Sequence, residues 1–259
     1  MTSMEKRPLI LITNDDGYQS KGIKALIDSV KDLGDIVVVA PDGPRSGMSS
    51  AISSLNPIRV HLAKEYDNVK IYACTGTPVD CVKLGISEVV KQKPDVLLSG
   101  INHGSNASIC VVYSGTMGAA MEGCIFKVPS IGFSLLDHSH DADFNPASRY
   151  VRSITQKVLK EGLPLGTCLN VNIPEGNDLQ GVKVCRQASG QWIEEFYLSK
   201  DGAKREVYWL TGHFKNDEPD DKATDEWALA QGYVSVVPTK VDMTDHDYLD
   251  EIRNWEKSI

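Results

Sequence analysis

Two adjacent carboxylates, Asp15 and Asp16, close the apolar run Leu9-Ile10-Leu11-Ile12 and stand directly before Gly17. Like charges side by side repel each other and lose hydration when partly buried, so a fold that keeps such a pair near its interior usually supplies a cation. A hard divalent ion suits them, because Mg²⁺, Mn²⁺ and Ca²⁺ take oxygen ligands. The same Asn14-Asp15-Asp16-Gly17 also reads as a turn that caps a following helix, and these residues alone do not choose. Two further loops add oxygen donors: Ser46 follows Arg45 and precedes Gly47, and Asn102 lies in Gly100-Ile101-Asn102-His103-Gly104-Ser105-Asn106. Carboxylates, a hydroxyl and an amide oxygen make a partial shell for Mg²⁺, Mn²⁺ or Ca²⁺, with positions left for water and substrate. Histidine and thiolate are absent from it, which disfavours zinc. Ser114-Gly115-Thr116 then opens a stretch rich in small residues. Hydroxyls and a glycine at a helix start read either as an ordinary N-cap or as a seat for a phosphate, whose oxygens meet the unpaired N–H groups.

Strands and helices must bring these residues to one place. Residues 9–12, 36–40, 95–99 and 129–134 are short apolar runs of the kind that form buried parallel strands. Between them, Ile23, Leu26, Ile27 and Val30 fall on one helical face, as do Val82, Ile86, Val89 and Val90 after Pro78. Residues 146–160 and 169–174 read as another helix and strand, and 51–75 as a strand-rich elaboration. Alternation of strand and helix predicts an α/β sheet, with the polar loops at the carboxyl ends of its strands, where ligands bind in such folds. From Gly181 the pattern alternates instead, and residues 182–186 and 205–210 are expected to pair antiparallel in a protruding hairpin. Residues 232–238 return as a strand, and Tyr248, Leu249, Ile252 and Trp255 line one face of a terminal helix that reads as a subunit contact. The expected layout is one domain over 1–259, with a core at about 8–180 and 223–243, a hairpin at about 181–222 and a helix at about 244–257.

A chain of 259 residues with 41% hydrophobic content can bury a sizeable core. Its net charge of −8 argues against a surface that tracks a nucleic-acid polymer. No segment approaches the ~18 apolar residues of a membrane span, and residues 1–8 lack a signal-type apolar region, so the expected setting is cytoplasmic with no membrane partner. The six cysteines form no Cys-x-x-Cys and sit in or beside apolar stretches, which favours reduced thiols over disulfides or zinc. His138-Ser139-His140 among aspartates reads as a solvated loop rather than a ligand cluster.

Five spaced motifs carry a family resemblance. Asn14-Asp15-Asp16-Gly17, Arg45-Ser46-Gly47-x-Ser49, Gly76-Thr77-Pro78-x-Asp80-Cys81-Val82, Ser99-Gly100-Ile101-Asn102-x-Gly104-x-Asn106 and Tyr113-Ser114-Gly115-Thr116-x-x-Ala119-Ala120-Met121-Glu122-Gly123 resemble the motif series of the SurE family. Gly232-Tyr233-Val234-Ser235 and Asp242-Met243-Thr244 are similar to its C-terminal signature, so the likeness runs from residue 9 to about 245. The resemblance implies a Rossmann-like, mainly parallel sheet with helices on both faces, a protruding hairpin with an exchanged C-terminal segment, and homodimers or homotetramers. It also implies hydrolysis of nucleoside monophosphates, the choice between 5′ and 3′ ester staying open, with one divalent ion, Mg²⁺ or Mn²⁺, and Ca²⁺ admissible in a crystal. Carried over by position, Asp15, Asp16, Ser46 and Asn102 hold the metal, and Ser114, Gly115 and Thr116 border the phosphate. Ala107-Ser108-Ile109-Cys110 departs from relatives that carry acidic residues there.

Phosphate-monoester hydrolysis is among the slowest uncatalysed reactions, so such a site must stabilise an anionic phosphoryl group and position an attacking oxygen. Asn14, Arg45, Gly47 and Asn106 are the expected substrate-orienting neighbours, and Asp15 or Asp16 the expected proton acceptor. Two alternatives stay open at this level: a nucleotide and metal sensor without turnover, and a phosphatase for polyphosphate or other small phosphate esters.

Overall fold

Five successive buried residues, Leu9–Thr13, make β1, which lies near the middle of a nine-stranded sheet. The computed structural model describes residues 7–139 and 141–257, so Met1 to Lys6 and His140 lie outside the described residues. After β1 come α1 (Lys21–Val30), β2 (Asp35–Pro41), β3 (Val60–Tyr66), β4 (Val69–Cys74), α2 (Pro78–Leu84) and β5 (Val96–His103). The chain continues through α3 (Gly115–Ile125), β6 (Ser130–Leu135), α4 (Asn145–Glu161), β7 (Thr167–Ile173) and β8 (Val182–Val184). It ends with β9 (Gly190–Ile193), β10 (Phe196–Lys200), β11 (Glu206–Leu210), β12 (His213–Asn216), α5 (Asp225–Ala230), β13 (Val234–Lys240) and α6 (His246–Ile252).

The large sheet runs β3-β4-β2-β1-β5-β6-β7-β13-β8. From β4 to β7 the neighbours are parallel, while β3 and β13 join antiparallel at either side. Parallel strands bury both faces, which is why β1, β5 and β6 are apolar almost without interruption. On one face α1 and α4 cover a core that includes Ile10, Ile23, Leu26, Leu98, Phe133 and Val151. On the other, α2 and α3 enclose Leu11, Val39, Cys81, Leu97 and Ala119. The expected mixed α/β architecture, mostly parallel and flanked by helices, is therefore the observed one.

Beyond β7 the pairing differs from the sequence expectation. Val182–Val184 does not pair with the 205–210 segment; it lies parallel to β13, with Val234 opposite Val182 and Val236 opposite Val184. The true hairpin partners are β10 and β11, Phe196 opposite Leu210 through Lys200 opposite Glu206, and β9 with β12. Alternation alone does not specify a partner, whereas the free ladder of β13 needs one. Likewise residues 51–59 hold no strand, and the elaboration begins only at Val60.

The chain leaves β1 toward β2 and β4 on one side, then returns with β5 on the other. That reversal leaves a crevice between β1 and β5 at their carboxyl ends, the place where open α/β sheets bind ligands.

Candidate active site

Asn14 opens the turn that leaves β1. Its Nδ2 donates to the Gly17 carbonyl at 3.0 Å and to Ser20 Oγ at 2.9 Å, while its Oδ1 accepts the Gly17 N–H at 3.2 Å. Ser20 in turn caps α1 by accepting the Ile23 N–H. This fixes the two intervening aspartates between strand and helix. Asp15 is 4% exposed, and its Oδ1 accepts the Thr116 hydroxyl at 2.6 Å. The Thr116 and Asp15 N–H groups also reach this carboxylate. Burial nevertheless pushes its pKa up to about 6, assisted by the charge of Asp16 and opposed by the Thr116 hydroxyl. Burial raises Asp16 as well, against a backbone N–H donated by His103.

Three other segments converge on this pair. The Arg45 N–H donates to the Asp15 carbonyl at 2.7 Å, which brings Ser46 and Gly47 beside it. At the end of β5, the His103 contact places the Asn102 loop at Asp16. The Asn102 Nδ2 donates to the Gly104 carbonyl at 2.9 Å, so the amide oxygen rather than the nitrogen is the atom that could face a cation. Finally, α3 starts at Ser114, whose hydroxyl oxygen accepts the Met117 N–H, and a Cβ added at Gly115 would stand 3.0 Å from the Asp15 Cβ. At Gly118 the helix meets the β2 loop so closely that a Cβ would lie 2.3 Å from the Ser49 carbonyl oxygen.

Asp16 Oδ2 is buried and has no hydrogen-bond partner. A buried carboxylate oxygen with no donor is costly unless a cation fills the role. Among the described residues no three His, Cys, Asp or Glu side chains converge, so neutral oxygens must complete any shell, which is what Ser46 and Asn102 offer. That donor set fits a hard divalent ion.

Other expected site residues are placed differently. Both N–H donors of Asn14 are spent on the turn and its oxygen accepts there too, so its side chain positions the aspartates. Asn106 is buried; its Nδ2 donates to Ser134 Oγ at 2.8 Å. Its backbone is held by two amides that the sequence reading missed: Asn172 Oδ1 accepts its N–H, Asn170 Nδ2 donates to its carbonyl, and Asn172 Nδ2 donates to Asn170 Oδ1. Polar residues two apart in an otherwise apolar strand were the signal available. Thr116 gives its hydroxyl to Asp15 instead of to a phosphate, leaving Ser114 and the Gly115 N–H at the helix start. The Arg45 guanidinium turns toward the Thr75 carbonyl at 3.3 Å, and Gly47 sits in the left-handed region at φ +72°. His138 packs against Gly104, while His140 is outside the described residues.

The family profile described as Survival protein SurE matches residues 10–194, a span that contains every one of these loops. The chain belongs to the SurE family. Among SurE relatives, a protein of Phocaeicola vulgatus named 5′-nucleotidase SurE is 49% identical over 98% of this chain and 99% of its own length. One of Christiangramia forsetii with the same name is 50% identical over 97% of this chain and 98% of its own. The crystal structure of the SurE protein from Aquifex aeolicus superposes with a TM-score of 0.83 at 38% identity, covering 96% of this chain and all of that one. The SurE profile ends within the segment leading from β9 to β10, so the likeness beyond it rests on the full-length relatives.

Proposed function

We propose that this chain is a 5′-nucleotidase, a phosphomonoesterase that converts nucleoside monophosphates to nucleoside and phosphate with one bound divalent ion, Mg²⁺ or Mn²⁺. The near-full-length similarity to relatives named 5′-nucleotidase SurE supports the activity. The observation that carries the chemistry is the unpartnered, buried Asp16 Oδ2 beside a buried Asp15 at the sheet's crevice. Asp15, Asp16, Ser46 and Asn102 are the residues that would hold the ion. A divalent ion supplies positive charge against the phosphoryl oxygens and makes water more acidic. Ser114, whose oxygen already accepts from Met117, keeps its proton to donate to a phosphate oxygen, and the Gly115 N–H at the start of α3 provides a second donor. The proton of the attacking water passes to the carboxylate pair. Thr116 holds Asp15 in place from behind.

Its setting in this proposal is the cytoplasm: no helix among the described residues is long and apolar enough to cross a membrane. The assembly is a homodimer or homotetramer, built on the exposed apolar residues of β10, β11 and α6.

Metal-stripped protein is expected to release no phosphate from AMP or GMP and to recover with Mg²⁺ or Mn²⁺. Asp16→Asn is expected to lower kcat by roughly 10²–10³-fold, the scale of losing a central electrostatic group. Full activity of Asp16→Asn in the presence of chelator would overturn the proposal, and tight nucleotide binding without phosphate release would make the protein a sensor instead.

A further inference from the structure

A cavity of about 240 Å³ lies between the β2 loop, residues 53–58 and the turn after β4. Arg45 belongs both to its wall and to the metal loop, since its own N–H binds the Asp15 carbonyl and the next residue is Ser46. Pro78, which follows Thr77 of that wall, and Asp15 both stand against Gly115, where an added Cβ would meet them at 3.3 and 3.0 Å, so the cavity wall and the carboxylate pair border one another. Its volume is below the ~300–1,000 Å³ of pockets that enclose drug-sized ligands. A flat heterocycle with part of a sugar fits such a space, and a phosphate attached to it would remain outside, toward Asp15 and Asp16.

The walls combine the chemistry a nucleobase requires. Met48 and Ile58 give apolar surface for the ring faces, and Asn56 gives an amide that both donates and accepts. The frame is fixed before any ligand arrives. Thr75 Oγ1 accepts the Arg59 N–H at 3.0 Å, Thr77 Oγ1 donates to the Ala51 carbonyl at 2.7 Å, and the Asp80 carboxylate accepts the N–H groups of Ser53 and Thr77. Such tethering lowers the ordering cost of binding.

We propose that this cavity is the nucleoside subsite, with Asn56 as the residue that discriminates among bases. The assignment rests on the nucleotidase reading and extends it to the part of the substrate remote from the reacting phosphorus. Remote contacts of this kind set specificity through binding energy.

The test compares wild type, Asn56→Leu and Asn56→Asp with AMP, GMP, CMP and UMP, and with ribose 5-phosphate as a base-free ester. Asn56 is exposed, so neither substitution disturbs the core, and circular dichroism checks the fold. In Asn56→Leu the ratio of kcat/KM for the preferred nucleotide over ribose 5-phosphate is expected to fall about tenfold, chiefly through KM, as for one lost base hydrogen bond. In Asn56→Asp the order of base preference is expected to change, because a donor has become an acceptor. Both ratios and order unchanged in folded variants, with wild type turning over nucleotides, overturns the subsite alone. Wild type that cleaves ribose 5-phosphate but no nucleoside monophosphate overturns the nucleotidase reading, and the subsite with it.

Discussion

At the residue scale, what distinguishes the site is that Asp15, a proposed metal ligand, has its own support. Thr116→Val removes the hydroxyl that donates to Asp15 at 2.6 Å while preserving side-chain shape. Partners behind metal ligands are commonly worth ~10–100-fold in affinity or activity, so Mn²⁺ binding measured by calorimetry is expected to weaken about tenfold, with kcat falling alongside. A second residue tests electrostatics away from the site. Burial, with the nearby Asp225, raises Glu226 to about 7. A carboxyl whose folded pKa exceeds its unfolded value holds a proton more tightly when folded, so its contribution to stability is lost as pH rises from about 4.5 to 7. Glu226→Gln is therefore expected to match wild type near pH 5 and to be more stable at pH 8. The gain is on the order of 1 kcal/mol after allowing for partial solvent screening, read from urea melts. The adjacent carboxylates were legible in the sequence because they are neighbours in the chain. The role of Thr116 was not: its partner is 101 residues away, and a Ser-Gly-Thr at a helix start has the same look whether it faces phosphate or carboxylate.

At the element scale, the site depends on α3 lying hard against the β2 loop. Gly118→Ala would set a methyl carbon 2.3 Å from the Ser49 carbonyl, a backbone atom that yields only by moving the loop. Overpacking of this kind typically costs ~1–3 kcal/mol. The melting temperature is expected to drop and kcat/KM to fall, because the displaced loop carries Ser46. Gly43→Ala in the same loop meets nothing within 4 Å and is the control expected to leave both measurements near wild type. Strands β1, β2 and β5 were readable because burial on both faces leaves continuous apolar runs. The place of β8 was not readable. Three residues of Val-Lys-Val pattern fit any open ladder, and only the assembled sheet shows that β13 has one to offer.

At the scale of the whole molecule, the outlying hairpin is unlike the rest of the surface. An ordinary solvent-facing ribbon turns one apolar face to the body. Here Phe196, Tyr197 and Leu198 on β10, with Tyr208, Trp209 and Leu210 on β11, are each at least half exposed, so both faces are apolar. Contiguous exposure of this kind marks an association surface. Light scattering is expected to give a mass two or four times that of one chain, and the paired change Trp209→Glu with Leu210→Glu is expected to yield monomers. A monomeric wild type would refute the assembly. That residues 205–210 form a strand was visible in sequence; that none of the other described residues covers its apolar side chains was not, since coverage is a property of the folded surface.

The two amides that bracket Asn106 carry a consequence for how the sequence can drift. Losing Asn172 strands the Asn106 N–H and Asn170 Oδ1; losing Asn170 strands the Asn106 carbonyl and Asn172 Nδ2. Each single step thus leaves two interior groups without a mate, at ~1–3 kcal/mol apiece, and abandoning both amides strands the same number, the two peptide groups of Asn106. The first loss therefore bears the whole cost and the second adds little, so that a lineage which gives up either amide is released from keeping the other.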